Sequence, residues 1–324
     1  MKSALITGIY GQCGSWLAKL LLEKGYEVYG LSKPRTSPEN HIKIGIHGKV
    51  KVIDGDITDA SSVANAIIKS KPDEIYSLAA QSHVGYSFQA PQVTCATNFL
   101  GHLNIIMQAR IHAPKCRIYH ASTSEMFGYS KGVLNEQTPF QPMSPYAISK
   151  VAAHWCGVNA RYEANQFVCN GILFNNESSL RHPSFVTRKI TMAVAKGLPL
   201  ELGNLNSVRD WGHARDYVEG MWMMMQHDKP DDYVLATGEA HSVRDFVRMA
   251  YKAVGKEIKF SGKGIDEIGT VDGKVMVRVN PEFYRPNELG FLLGDFSKAK
   301  AILGWKPKTG IEQLVKEMID EDRR

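Results

Sequence analysis

Long apolar runs are missing from this 324-residue chain. No window approaches the ~20 consecutive apolar residues of a membrane-spanning helix, which excludes that class of membrane protein. Cysteine is scarce and unpatterned: Cys13, Cys95, Cys116, Cys156 and Cys169 are an odd number without CxxC spacing. Reduced thiols in a cytoplasmic setting follow as the expectation, with no disulfide framework and no metal centre. Basic blocks are also absent. The formal net charge of +6 is dispersed, which speaks against a nucleic-acid partner and suits an anionic substrate. Neither an internal repeat nor a low-complexity segment is present. Met1 runs straight into 2–7, which reads as a buried strand and not as a secretory leader. The length suits one large domain or two coupled ones.

Glycine is where the chain becomes specific. Gly8, Gly11 and Gly14 stand in G-x-x-G-x-x-G spacing, with Tyr10 and Gln12 between them. The turn joins the first strand to a predicted helix over 15–24, whose apolar face is Leu17, Leu20, Leu21 and Leu22 and whose C-cap is Gly25. A second strand over 26–31 follows. Strand, glycine turn and helix in this order bring a helix N-terminus to a pyrophosphate and predict dinucleotide binding. An acidic residue at the end of the second strand would bind the ribose of NAD. This chain has Ser32-Lys33-Pro34-Arg35 instead, with no acid before Glu39. A 2′-phosphate beside Lys33 or Arg35 favours NADP; the plain alternative is a solvated basic loop.

The alternation continues with a strand over 51–54, Asp56-Ile57 leading to a helix over 60–68, and a strand over 73–78. That strand ends in the small-residue run Ala79-Ala80-Gln81-Ser82, suited to a backbone passing close to a cofactor and equally to close helix packing. A longer helix over about 91–112 precedes a strand over 117–121. This spacing predicts an α/β fold, a Rossmann-type doubly wound parallel sheet, with ligands beyond the carboxyl ends of its strands.

Thr123 and Glu125 lie at such an end. Ser144-Pro145 then reads as an N-cap and first-turn proline, so Tyr146 and Lys150 share one face of a helix. An ammonium beside a phenol favours the phenolate, so Lys150 is expected to lower the pKa of Tyr146 and make it a base. Tyr-x-x-x-Lys alone is common and usually decorative; the glycine turn is what gives it weight. In the second half, Met221 to Met225 reads as core behind a helix start at Asp216, and 233–236 as a strand returning to the sheet. Ser242 with Asp245 reads as a helix start, with short helices over 298–303 and 311–319. The smaller C-terminal substrate domain is therefore interleaved with the sheet: 1–175 with about 211–238 forms the cofactor domain, and 176–210 with 239–324 the substrate domain.

With these residues assembled, the chain resembles the extended short-chain dehydrogenase/reductase superfamily and, within it, the GDP-mannose 4,6-dehydratases. The likeness rests on 122–128 (STSEMFG), 144–147 (SPYA), 169–175 (CNGILFN), 185–189 (FVTRK), 209–214 (RDWGHA) and Tyr284-Arg285-Pro286, and runs from residue 2 to about 320. It implies a hydro-lyase with Thr123, Glu125, Tyr146 and Lys150 as catalytic residues. Around NADP it implies Gly8, Tyr10, Gly11, Gln12, Gly14, Ser32, Arg35, Asp56, Ile57, Leu78, Ala79, Ala80, Ser82 and Arg181, besides Tyr146 and Lys150. Around a GDP-sugar it implies Ser82, Asn175, Val186, Lys189, Gly203, Asn204, Arg209, Arg285 and Glu288. A GDP-heptose dehydratase, or an epimerase or 4-oxidoreductase of the same superfamily, is the alternative, and a non-enzymatic NADP-binding protein a more distant one. Tyr10 and Cys13 depart from the family's glycine loop. Ser179-Leu180-Arg181 departs from its Pro-Arg-Arg run, which contributes to tetramer contacts. A homodimer or homotetramer is expected; Val151, Ala152, Trp155 and Val158 read either as a dimer seam or as a face turned to the sheet.

Overall fold

The computed structural model describes residues 1–283 and 289–323, so Arg285 and Glu288 lie outside the described residues. Strands β1 (Ser3–Thr7), β2 (Glu27–Ser32), β3 (Lys51–Asp54), β4 (Glu74–Ser77), β5 (Arg117–Thr123), β6 (Val168–Leu173) and β7 (Asp232–Leu235) form one sheet. Their spatial order is β7-β6-β5-β4-β1-β2-β3 and every pairing is parallel. The order reverses beside β1, which opens a crevice past the carboxyl ends of β1 and β4. Both strands are buried along their whole length, as expected of the middle of a sheet covered on both faces.

The covering layers are helices α1 (Gln12–Glu23), α2 (Ala60–Ser70), α3 (Gly101–His112), α4 (Pro145–Ala164) and, later in the chain, Ala214–Gln226. Helix α1 begins at Gln12, three residues before the apolar periodicity suggests, because Gly11 is its N-cap. That cap supplies no side-chain acceptor, and the first turn holds no acidic residue. The N–H groups of this turn are thus left for an anion. Gly8 makes the turn possible with φ +68, and a Cβ there would meet the Ala79 backbone at 2.9 Å.

The helix read over 91–112 is three pieces: Pro91–Cys95, a π turn over Ala96–Leu100, and α3. A widened turn has no signal in apolar spacing, and here it aims Asn98 inward. The amide accepts from Gln81 N (2.8 Å) and donates to Ser149 Oγ (3.0 Å), tying the loop after β4 to α4.

Past β6 the chain leaves the sheet and returns for β7. Outside it, α5 (Val186–Lys196), α7 (Val243–Ala253) and α8 (Ile311–Asp322) pack with a four-stranded sheet of Leu200–Leu202, Lys259–Ser261, Ile268–Val271 and Lys274–Val279. The Ala214–Gln226 helix, α6, follows α5 in chain order. Its Met221, Met224 and Met225 are fully buried beside Trp305, so the methionine run is core. The four short strands escaped the sequence reading because at three to six residues each they are too short to show a period. Asn175–Glu177, pairing parallel with Trp211–His213, is where the two cores meet.

The glycine turn generates one prediction. A Cβ on Gly14 would meet Ile9 O at 2.8 Å and Ile9 Cα at 2.9 Å, both backbone atoms that cannot yield cheaply. Gly14→Ala should therefore destabilise the fold by about 1–3 kcal/mol, the usual range for overpacking. Urea denaturation with unchanged m-value and a lower midpoint is the expected outcome.

Candidate active site

A cleft of about 1180 Å³ opens past the carboxyl ends of β1, β4, β5 and β6, between the main sheet and the smaller core. Its floor on the β1 side is Gly8, Gly11, Gln12 and Gly14, and on the β4 side Leu78, Ala79, Ala80 and Ser82. Thr7 Oγ1 accepts from Leu78 N and Ala79 N, both at 3.1 Å, which locks the two strand ends side by side.

The far wall carries Asn175, Arg181, Val186 and Lys189, then Gly203, Asn204 and Arg209. Lys189 Nζ sits 4.4 Å from the centroid of the Phe283 ring. Five other expected residues do not line this cleft. Tyr10 turns its ring edge onto His41 (4.8 Å between centroids), and its carbonyl accepts from Asn40 Nδ2 at 2.9 Å. Ile57 is buried in the core that packs α2 and α3 on the sheet. Ser32, Arg35 and Asp56 lie around the outer end of β2 and β3, where Lys33 Nζ pairs with Asp56 at 2.9 Å. Arg35 is exposed and adopts a left-handed φ of 64.

Thr123, Glu125, Tyr146 and Lys150 converge at the centre of the cleft. β5 ends at Thr123, whose Oγ1 accepts from Glu125 N at 3.3 Å and so caps the short 3₁₀ turn Ser124–Phe127. Ala147 N donates to Ser144 Oγ at 3.1 Å, which starts α4 where the Ser-Pro signal placed it. One turn on, Lys150 Nζ donates to the Ala121 carbonyl at 2.8 Å.

The electrostatics differ from the expectation drawn from Tyr-x-x-x-Lys spacing. Burial pushes the Tyr146 phenol up to about 12. A hydrogen bond with Thr123 draws it back, Glu125's charge pushes it further up, and Arg181 draws it down. Lys150 is absent from these influences. Its ammonium is committed to Ala121, and burial brings its own pKa down to about 8. Helical spacing puts the pair on one face but does not say where the lysine's tip goes; here it passes behind the phenol to the strand.

Two cleft residues, Asn176 and Glu177, carried no sequence signal. Glu177 is buried, accepts from Thr187 Oγ1 at 2.7 Å and pairs with Arg181 Nε at 3.1 Å; burial raises its pKa. The Arg181 guanidinium also stacks on the Phe185 ring at 3.5 Å. Gln12 Nε2 donates to Asn176 O (2.9 Å) while its Oε1 accepts from Ser178 Oγ (2.8 Å). Cys13 Sγ donates to Asn176 Oδ1 at 3.0 Å, and burial pushes the thiol up to about 11. The unusual Cys13 is thus a neutral thiol bonded across to the second core. The adjacency of Asn176 and Ser178 to Asn175 was the one available hint. Among the described residues no group of His, Cys, Asp and Glu is placed to hold a metal ion, and no helix is long and apolar enough to cross a membrane.

Comparison with known proteins is consistent along the whole chain. The family model for GDP-mannose 4,6 dehydratase matches residues 5–318. A GDP-mannose 4,6-dehydratase of Yersinia enterocolitica is 47% identical, over 99% of this chain and 94% of that protein. A human GDP-mannose 4,6 dehydratase is 46% identical, over 98% and 91%. In structure, a dTDP-glucose 4,6-dehydratase of Streptomyces venezuelae with NAD bound superposes with TM-score 0.87 over 100% of this chain and 97% of its own, at 24% identity. With the cleft at the carboxyl ends of a doubly wound sheet and likeness of this extent, the chain belongs to the GDP-mannose 4,6-dehydratase family of the short-chain dehydrogenase/reductase enzymes.

Proposed function

We propose that the protein dehydrates GDP-D-mannose to GDP-4-keto-6-deoxymannose with NADP. The observation that carries this is the carboxylate of Glu125 beside the Tyr146–Lys150 pair and Thr123 in one cleft. Oxidation and reduction at C4 alone need the tyrosine and lysine; loss of water across C5–C6 needs an acid/base as well. The uncapped start of α1 and the close approach at Gly8 and Gly14 fit a dinucleotide pyrophosphate. When bound, NADP supplies the acceptor for hydride from C4 and its donor back to C6.

The chain's own residues do the rest. Tyr146 takes the proton of the C4 hydroxyl while Thr123 hydrogen-bonds the C4 oxygen. A 4-keto group acidifies the C5 proton, which Glu125 removes and passes to the departing C6 hydroxyl. When hydride returns to C6, C5 takes up the proton that Tyr146 had taken from the C4 hydroxyl. Arg181, which already draws the Tyr146 phenol down, supplies positive charge to the developing phenolate, and Lys150 is assigned the same role from the family pattern. Lys189 and Arg209 face a diphosphate from the second core, with Asn175, Val186, Gly203 and Asn204 around the nucleotide, Ser82 near the sugar, and Arg285 and Glu288 proposed from the family pattern. The cofactor half is 1–175 with about 211–238.

For assembly we assign a dimer through α4 and the helix over 91–112. Ile148, Trp155 and Tyr162 stand seven residues apart and exposed on α4, as do Val93, Leu100 and Met107 on the other. The seam is shifted from the sequence reading: of Val151, Ala152, Trp155 and Val158, only Trp155 is exposed and the others are half-buried. Arg181, expected to reach toward a neighbour, is held by Glu177 and Phe185 of its own chain.

Glu125→Gln should keep the fold and cofactor binding while dehydration falls ~10²–10⁴-fold; mass spectrometry of the sugar nucleotide reads this, and wild-type turnover would remove Glu125 from the mechanism. Arg35→Ala should weaken NADP more than NAD in fluorescence titrations, since it removes the cation proposed to meet a 2′-phosphate; equal losses would leave Arg35 a solvated side chain. Light scattering at micromolar protein should report a dimer, and Trp155→Asp a monomer with unchanged far-UV circular dichroism and a Tm lowered by the lost association; a monomeric wild type would refute the seam.

A further inference from the structure

Behind the catalytic helix lies a polar cluster that the proposed reaction does not use. His102 on α3 and His120 on β5 are each 1% exposed, with ring centroids 3.8 Å apart and planes inclined by 30°. One ring nitrogen of the four has a partner: His102 Nδ1, 3.0 Å from Ser77 Oγ. His102 Nε2 and both nitrogens of His120 have none among the described residues. A buried polar group left unpaired costs about 1–3 kcal/mol, so three in one place call for a physical reason.

Their position supplies it. β5 turns His120 and Ser122 to the face opposite Tyr119 and Ala121, and Lys150 crosses to the Ala121 carbonyl between them. The Lys150 charge acts on both His102 and His120, holding each further below the ordinary imidazole range after burial has done most of the work. Both rings are therefore neutral, and a neutral imidazole offers one acceptor nitrogen. The third histidine facing this region, His154 on α4, is bound to Ser122 Oγ at 3.1 Å and lies 3.5 Å from Asp232. Among the described residues, Lys150 and His154 are the titratable groups that act on the pair from outside it. An ammonium has three donors, and Ala121 takes one.

We propose that His120 and His102 are positioning residues for catalysis: their stacked rings, on the side of β5 against which α4 packs, solvate the Lys150 ammonium from the rear. Without them, desolvation of Lys150 is less compensated and its pKa drops further. The sign follows: Lys150 then loses its charge at lower pH, and the alkaline limb of the rate profile moves toward acid. The catalytic consequence rests on the role given to Lys150 above, whereas its protonation can be measured apart from turnover.

The test compares wild type with His120→Phe, which keeps an aromatic ring without nitrogens, and His120→Gln, which restores a donor and an acceptor. In protein carrying ¹³Cε-lysine, with the Lys150 signal identified by Lys150→Met, NMR titration reads the ammonium directly. His120→Phe is expected to lower the Lys150 midpoint by about one pH unit, roughly a tenfold shift in its proton equilibrium, and His120→Gln to recover most of it. The alkaline limb of kcat should move by the same amount, with KM for the sugar nucleotide unchanged. An unmoved midpoint in His120→Phe would overturn the proposal and leave the rings as packing only. A midpoint that moves while no dehydration occurs in any form would uphold the solvation and instead refute the reaction assigned to the cleft. Should His120→Phe fail to fold, His102→Phe leaves β5 intact and is read by the same criteria.

Discussion

The hydrogen bond from Lys150 to the Ala121 carbonyl is the contact on which the active site's geometry depends. It spans from the first turns of α4 to the end of β5, and by doing so sets Tyr146 above Thr123 and Glu125. A charged donor to a buried carbonyl contributes about 1.5–3 kcal/mol net, enough to fix the helix against the strand. It also commits a desolvated ammonium to the interior, and the lowered Lys150 pKa is the consequence. Tyr146 is thereby left with a phenol that burial holds high. On the cleft side, the hydrogen bond with Thr123 and the charge of Arg181 draw it back toward the basic form. Activation is a property of the assembled cleft and not of the helical pair alone.

The second structural demand is that two cores stay in register across that cleft. Gln12, Cys13 and Trp16 of α1 reach Asn176 and Ser178, at the point where the chain leaves the main sheet. The same short segment continues to Glu177 and Arg181, so the glycine turn and the cation beside Tyr146 are carried on one rigid connection. Asp210 does a related task further out, taking Thr237 N at 2.8 Å and Gly238 N at 3.0 Å to anchor the loop after β7. A cysteine in the glycine loop is tolerated because its thiol serves here as a small neutral donor.

Much of this was legible in the residues. Glycine spacing, Ser144-Pro145 and the strand-helix alternation place the sheet, the cleft and the start of α4, because each is set by local chemistry. Ser242 with Asp245 behaves likewise, forming the expected reciprocal cap of α7. What was not legible is set by tertiary contact. The π turn at Asn98 depends on Gln81 and Ser149 from elsewhere in the chain. Lys150's direction, the Glu177–Arg181 pair and the stacked histidines arise from packing that no spacing encodes. The smaller sheet was missed because its strands are only three to six residues long and the first of them lies far in the chain from the other three.

The central claim is that one cleft oxidises C4, eliminates water and returns the same hydride to C6. The most direct measurement gives the purified protein GDP-mannose deuterated at C4 together with substoichiometric NADP, and locates the label by NMR. The account predicts a product lighter by one water, with deuterium at C6 and no net build-up of reduced cofactor. Label retained at C4, or transferred to the cofactor pool with a 4-keto product that keeps its C6 hydroxyl, would contradict it.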